Sequence, residues 1–300
     1  MRKSLASAPA PLEAGAASDP PPSPADYAEF LRAMLPLQER AVASHRFGHE
    51  RVWLKKAGPR HGKLRYRLLA LASGALRLDV LAPVPNPGGE AAIEIEARRL
   101  LALGAAGLRV PTVLARQPEG LLISDLGESG RPPVVLQERL DQAAAAGPVA
   151  LLAVWREGLE AIALVHSRDA YLSQAFDRNL VQCPDGTIGY IDFEDDPGET
   201  LALPECQARD WLSYLHSTAM LVDAASPHAA AKHWHAVLAD ASDAVRDRLA
   251  EAARRMRWLR HLPAGRRWGR DTQRLRAAAR LLARWYGKEA LRAADTSHGQ

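Results

Sequence analysis

Asn179 and Asp192 are the residues of this chain whose types and spacing point most directly to chemistry. Twelve residues separate them, and Pro184-Asp185-Gly186 in the middle carries turn chemistry. Strands over 179–182 and 187–192, folded about that turn, bring Asn179 and Asp192 to the same end of a hairpin. A carboxylate beside an amide oxygen is an oxygen-only donor set, which suits Mg2+ held together with phosphate. Gln174 and Asp177 precede Asn179 in the same loop. The amide can orient a hydroxyl only by hydrogen bonding, whereas the carboxylate can take a proton. Upstream, Lys55 ends the apolar run Val52-Trp53-Leu54. A strand holds such a cation at a fixed depth, and Lys56 then points to the opposite face. Glu96, in Ile95-Glu96-Ala97-Arg98-Arg99-Leu100, is a further candidate, an acid on a helix. A solvated edge lysine and a surface helix acid are the alternatives for those two.

The elements that must position these residues follow from periodicity and punctuation. Ser23-Pro24-Ala25-Asp26 reads as a capped helix start, with the helix running to about Val42 and broken at Pro36. Arg51 to Lys56 reads as a strand, stopped by Ala57-Gly58-Pro59. Leu64 to Leu78 has helical spacing, and Pro83 to Gly89 is punctuated. Glu90 to Ala106 is an amphipathic helix with Ile93, Ala97, Leu100, Leu101 and Gly104 on one face. Strands over Arg109–Leu114 and Gly120–Asp125 follow. Pro148 to His166 is helical, with Leu152, Trp155, Leu159, Ile162, Ala163 and His166 along one stripe. After the hairpin the pattern is helical from Gln207 to about Arg292, interrupted near Pro227 and at Pro263-Ala264-Gly265. This order predicts an α+β chain. Residues 1–25, with six of the 21 prolines, form a disordered tail. Residues 26–127 form a small strand-rich half, 128–292 a mostly helical half containing the hairpin, and 293–300 a second tail, with a cleft between the halves.

Composition narrows the function classes. At 300 residues and 47% hydrophobic the chain is long enough for one large core or two halves sharing a cleft, and too apolar to be disordered throughout. No run of about 18 apolar residues is present to cross a membrane, and no apolar segment follows Arg2 and Lys3. Two cysteines, Cys183 and Cys206, cannot make a disulfide framework. The expected location is cytoplasmic, with a place at the periphery of the inner membrane as the alternative. Net charge is only +4, yet Arg246 to Arg292 holds fifteen Arg or Lys against four acids, an excess of +11 (15 − 4). Such a stretch suits an anionic partner, unless it is simply a solvated helical face. Trp258, Trp268 and Trp285 stand among those arginines. Interleaved that way they suit an anionic membrane surface, and core packing is the alternative. No nucleic-acid recognition module is legible, so nucleic acid ranks last among such partners.

Taken together, these stretches resemble the protein-kinase-like superfamily, nearest the bacterial lipopolysaccharide-core (Kdo and heptose) kinases and their RIO-like relatives, over roughly residues 48–220. The resemblance implies a two-lobed kinase-like fold and an ATP-dependent phosphotransferase, with ATP and Mg2+ as cofactors. Lys55 would hold the phosphates and Glu96 would hold Lys55. Leu121-Leu122-Ile123-Ser124-Asp125-Leu126-Gly127 resembles the strand entering the interlobe hinge, placing Ser124 and Asp125 at the adenine. Tyr190-Ile191-Asp192-Phe193-Glu194 is similar to the metal-binding Ile-Asp-Phe-Glu, with Asn179 as second ligand. Ala208-Arg209-Asp210-Trp211-Leu212 resembles the helix whose polar residues brace the catalytic loop. The implied acceptor is a sugar hydroxyl, on a glycan or lipid-linked sugar.

Two departures accompany the resemblance. Leu172-Ser173-Gln174 falls where the family has His-x-Asp, so Gln174 replaces the aspartate that receives the acceptor's proton, leaving Asp177 as the nearest substitute. No glycine-rich loop precedes Lys55; only Gly48 and His49 stand there. They open a second reading, a pseudokinase that binds nucleotide or a protein partner without turnover.

Overall fold

The computed structural model describes residues 22–58, 88–128 and 130–287. Most of the expected tail 1–25, the helical spacing at 64–78, most of the punctuated stretch 83–89 and the tail 293–300 lie outside them. The fold is α+β, with a small antiparallel sheet in the N-terminal region and a mostly helical remainder; 58% of the described residues are helical.

The first helix, α1 (Pro24–Met34), starts as its sequence dictates. Ser23 accepts a hydrogen bond from the Asp26 N–H while the Asp26 carboxylate accepts from the Ser23 N–H, a capping box with Pro24 at the first helical position. It ends before Pro36 and does not continue to Val42. Val42–Phe47 is instead a strand, β1, paired antiparallel with β2 (Glu50–Lys56). After α2 (Gly89–Ala105) come β3 (Val113–Gln117) and β4 (Gly120–Ser124), giving one sheet of order β1-β2-β4-β3. β3 starts four residues later than expected, at Val113 rather than Arg109. Pro111 removes a donor, and the Arg109 carbonyl is taken by the Tyr190 N–H of the later hairpin.

Strand alternation divides the sheet between two tasks. Val52, Leu54 and Leu122 face α1 and close a small core with Tyr27, Leu31 and Leu35. Leu121 and Ile123 face the other way, into the main core with Ile93, Ala97 and Leu100 of α2, and Trp53 packs partly buried against them. Lys55 shares the face of Trp53 by the same period of two. The buried side of α2 carries Leu103 rather than Leu101, which is 62% exposed, and Gly104 is exposed as well.

The helical remainder begins with the two-residue strand β5 (Val134–Val135) and α3 (Leu136–Ala146), neither of which was expected. α4 (Pro148–His166) spans the predicted residues. It packs on α5 (Leu203–Ala225) at Gly158, where an added Cβ would stand 2.1 Å from the Tyr214 hydroxyl oxygen, so only glycine allows the approach. Trp155 stacks on Tyr214 and donates its indole N–H to Thr218. α6 (Pro227–Leu238) and α7 (Asp243–Met256) follow, with an unpredicted break at 239–242. α8 (Arg270–Trp285) closes the described chain. Trp211, Trp234 and Trp285 form an aromatic seam inside this half. No helix among the described residues is long and apolar enough to cross a membrane.

Candidate functional site

The hairpin forms as its turn residues dictate. β6 (Leu180–Gln182) and β7 (Ile188–Tyr190) pair with Leu180 opposite Tyr190, the Asp185 carboxylate accepts from the Thr187 N–H, and Gly186 sits at φ 86°. The Tyr190 hydroxyl donates to the Ala161 carbonyl, pinning the hairpin to α4. At its open end the Ile191 N–H donates to the Asn179 carbonyl, so Asn179 and Asp192 become neighbours.

Lys55, Glu96, Ser124, Asp125, Asn179 and Asp192 all line one cleft of about 530 Å3 between the N-terminal sheet, α2 and the hairpin. Trp53, Ile123, Leu126, Val181 and Ile191 supply its apolar walls. A second hollow of about 640 Å3 opens beside Tyr27, His45, Arg46 and Glu50; it shares Ser124 and Asp125 but holds none of Lys55, Glu96, Asn179 or Asp192.

Within the cleft the Lys55 Nζ stands 2.7 Å from both carboxylate oxygens of Glu96, 3.5 Å from Asp192 and 3.7 Å from Glu194. Glu96 is 2% exposed. Burial by itself draws the Lys55 ammonium down, but Glu96, Asp192 and Glu194 outweigh it, so its pKa is raised and it stays charged. Burial pushes the Glu96 carboxyl up against the pull of Lys55. Lys56 points to the other face, where its ammonium donates to the Gln38 carbonyl.

Asp192 is one of three described non-glycine residues with positive φ, at 74°; the others are Asp169 and Ser173. Such conformations cost of order 1–3 kcal/mol and persist where surrounding structure imposes them, often at working sites. Asn179 is buried, and its Nδ2 donates to the Gln174 carbonyl. That bond fixes the amide's orientation and leaves Oδ1 as the atom that could serve a cation, in the cleft that Asp192 also lines. The pair meets the needs of Mg2+, which takes one or two protein oxygens and completes its shell with water and phosphate. No group of three or more His, Cys, Asp or Glu that could hold a metal gathers among the described residues.

The other candidates lie differently. Gln174 donates its Nε2 to the Asp195 carboxylate at 2.6 Å, and Asp195 is buried. Asp177 is not brought to the cleft. Its N–H donates to the Ser217 hydroxyl of α5, and burial there pushes its carboxyl up. The Ser124 hydroxyl accepts from the Thr112 N–H, and the Asp125 carboxylate meets the Trp53 indole N–H and Arg51. Both side chains therefore hold the strand end, and both backbone N–H groups are taken as well, Ser124 by the Thr112 carbonyl and Asp125 by the Arg51 carbonyl.

Asp196, beside the acidic turn, accepts from the Tyr171 hydroxyl and from Arg98 of α2, so it ties the turn to that helix. Asp210, fully buried, accepts from the Leu172 N–H at 2.7 Å and meets the His166 Nε2 at 3.0 Å. It braces the loop carrying Gln174 from below. Sequence reasoning missed the Gln174–Asp195 bond, because nothing in the order of residues says which of three adjacent acids turns inward. Compared with the protein-family models and with the curated proteins, the chain matches none.

Proposed function

We propose that this chain is an ATP-dependent phosphotransferase of the lipopolysaccharide-kinase type, built on a two-lobed kinase-like fold, that phosphorylates a sugar or other hydroxyl acceptor. The observation that carries the reading is the convergence of a buried, bidentate Lys55–Glu96 pair with Asp192 and Asn179 on one cleft. A cation locked at fixed depth, beside two oxygen ligands and an apolar slot, is complementary to a nucleotide triphosphate. Lys55 would hold the phosphates, Glu96 would hold Lys55, and the strand end at Ser124 and Asp125 would lie against the base. Asn179 and Asp192 would hold Mg2+, which when bound neutralises charge on the phosphates. Gln174 would orient the acceptor hydroxyl, since an amide cannot take its proton.

A second reading, a nucleotide-binding pseudokinase, is favoured by one specific arrangement. Gln174 is tethered to Asp195 and Asp177 is directed to Ser217, so neither offers a free base in the cleft. Thermal unfolding with and without Mg-ATP tests the common part. At a hundredfold excess over Kd, bound nucleotide should add about 2.7 kcal/mol of stability, and Asp192→Ala should abolish the gain. No Mg2+-dependent shift at millimolar ATP would overturn both readings. Phosphate transfer to added sugar acceptors then separates them.

A further inference from the structure

The arginine excess of the C-terminal region resolves into two unlike parts. On the helices the arginines are largely paired. Arg246 meets Asp243, Arg248 meets Glu205 and Glu251, Arg274 meets Asp271, and Arg280 and Arg284 share Asp223. The apolar face of α8 is spent on the core, including Trp285, which is 3% exposed. On these helices the arginines just named are shared with carboxylates, and Trp285 is enclosed.

The stretch joining α7 to α8 is different. Together with the last turn of α7 and the first residue of α8, it spans residues 254–270, which hold seven arginines and no Asp or Glu. Among the described residues Arg255 meets Glu251, while Arg254, Arg257, Arg260, Arg267 and Arg270 have no carboxylate partner. Of the chain's seven tryptophans only two are more than half exposed, and both lie here: Trp258 at 57% and Trp268 at 51%. Trp258 stands on the 3-10 turn Arg257–His261 and Trp268 on the 3-10 turn Arg266–Trp268, with Pro263-Ala264-Gly265 between them. The Arg267 guanidinium lies 5.6 Å from the Trp268 ring centre. Met256 and Leu259 are buried beneath, so the stretch is anchored to the core while its rings face outward.

We infer that this stretch is a docking surface for an anionic lipid bilayer, with Trp258 and Trp268 seated at the headgroup level and the unpaired arginines on lipid phosphates. Exposed indoles are costly in water, yet they settle at a membrane interface, where ring and N–H are both satisfied. Arginines nearby add an electrostatic pull limited to about one Debye length. A nucleic acid shares the charge, but it is commonly read by a helix entering a groove or by aromatics on a sheet platform. Here the rings stand on two tight turns flanking a Pro-Gly loop. This inference does not rest on the phosphotransferase reading.

The test is flotation of the full chain with vesicles of phosphatidylcholine alone and of phosphatidylcholine with about a third phosphatidylglycerol. The chain should float with the anionic vesicles only. The double variant Trp258→Ala/Trp268→Ala should weaken binding about tenfold, and each of Arg257→Gln and Arg267→Gln about fivefold. These side chains are exposed, and an unchanged unfolding temperature shows that the variants remain folded. Brominated lipid should quench the fluorescence of the parent chain and leave the double variant unquenched. Equal flotation on neutral vesicles, undiminished binding by the double variant, or tighter binding to a single-stranded RNA oligonucleotide than to anionic vesicles would each overturn the inference.

Discussion

At one side of the cleft Lys55 meets both oxygens of Glu96 at 2.7 Å, with Asp192 3.5 Å away and the Asn179 amide held in one orientation. On the side of the Asn179 loop the groups are tied up with one another. Gln174 gives its amide to buried Asp195, Asp177 binds toward α5, and Asp210 carries the Leu172 backbone from beneath. The first side holds a cation fixed by Glu96 with Asp192 and Glu194 beside it, and the second is braced without presenting a base. A site built to hold an anion needs charge at fixed depth. A site built to move a proton needs a titratable group within reach of the acceptor as well. The cleft has a cation held at fixed depth, and neither Gln174, an amide tied to Asp195, nor Asp177 supplies the second property.

Three substitutions break or sharpen that contrast. The largest effect is expected from Lys55→Met. It leaves Glu96 buried beside Asp192 and Glu194 without its counter-ion, which costs about 3–5 kcal/mol in denaturant unfolding, and it removes any stabilisation by Mg-ATP. A variant that keeps its full response to nucleotide would show that the Lys55 side is misassigned. Next is Asp210→Ala, which leaves the Leu172 N–H and His166 without their acceptor in a buried setting and costs about 2–4 kcal/mol. The loop beneath Gln174 loosens, so the response to Mg-ATP should weaken with stability. An unchanged response would separate the brace from the cleft.

The smallest change in stability and the sharpest in function belongs to Gln174→Asp. It sets a second carboxylate against Asp195, where an amide now donates, and costs about 1–3 kcal/mol. If the cleft transfers phosphate, the same change supplies a base, and turnover should rise by about 10²–10⁴. Unaltered nucleotide binding with no turnover in parent or variant would favour the pseudokinase reading.

Local chemistry made much of the frame readable. Ser23 and Asp26 set the start of α1, Pro148 and the stripe through Trp155 and Ile162 set α4, and Pro184-Asp185-Gly186 set the hairpin. These signals act within a few residues, so order along the chain suffices. α3 carried a signal that went unread: Leu136, Leu140 and Ala143 recur at helical spacing among Gln, Glu and Ala, all favourable in a helix. β1 carried almost none. Val42–Phe47 mixes polar and apolar residues with no buried position, and it is a strand because the edge of β2 pairs with it.

The candidate site divides along the same line. Residue types and spacing by themselves determined that Asn179 and Asp192 meet at one end of a hairpin and that Lys55 and Lys56 point to opposite faces, because a hairpin and strand alternation are short-range geometry; the grouping of Lys55 and Glu96 with that pair came from the resemblance to kinase-like proteins. Only the tertiary structure decided that Asp195 turns inward to Gln174 while Glu194 stays beside Lys55, that Asp177 faces Ser217, and that Trp258 and Trp268 stay outside while Trp285 is enclosed. Each of those outcomes depends on which surface another element covers. Burial of a side chain is fixed by residues that are distant along the chain, and local periodicity does not contain that information.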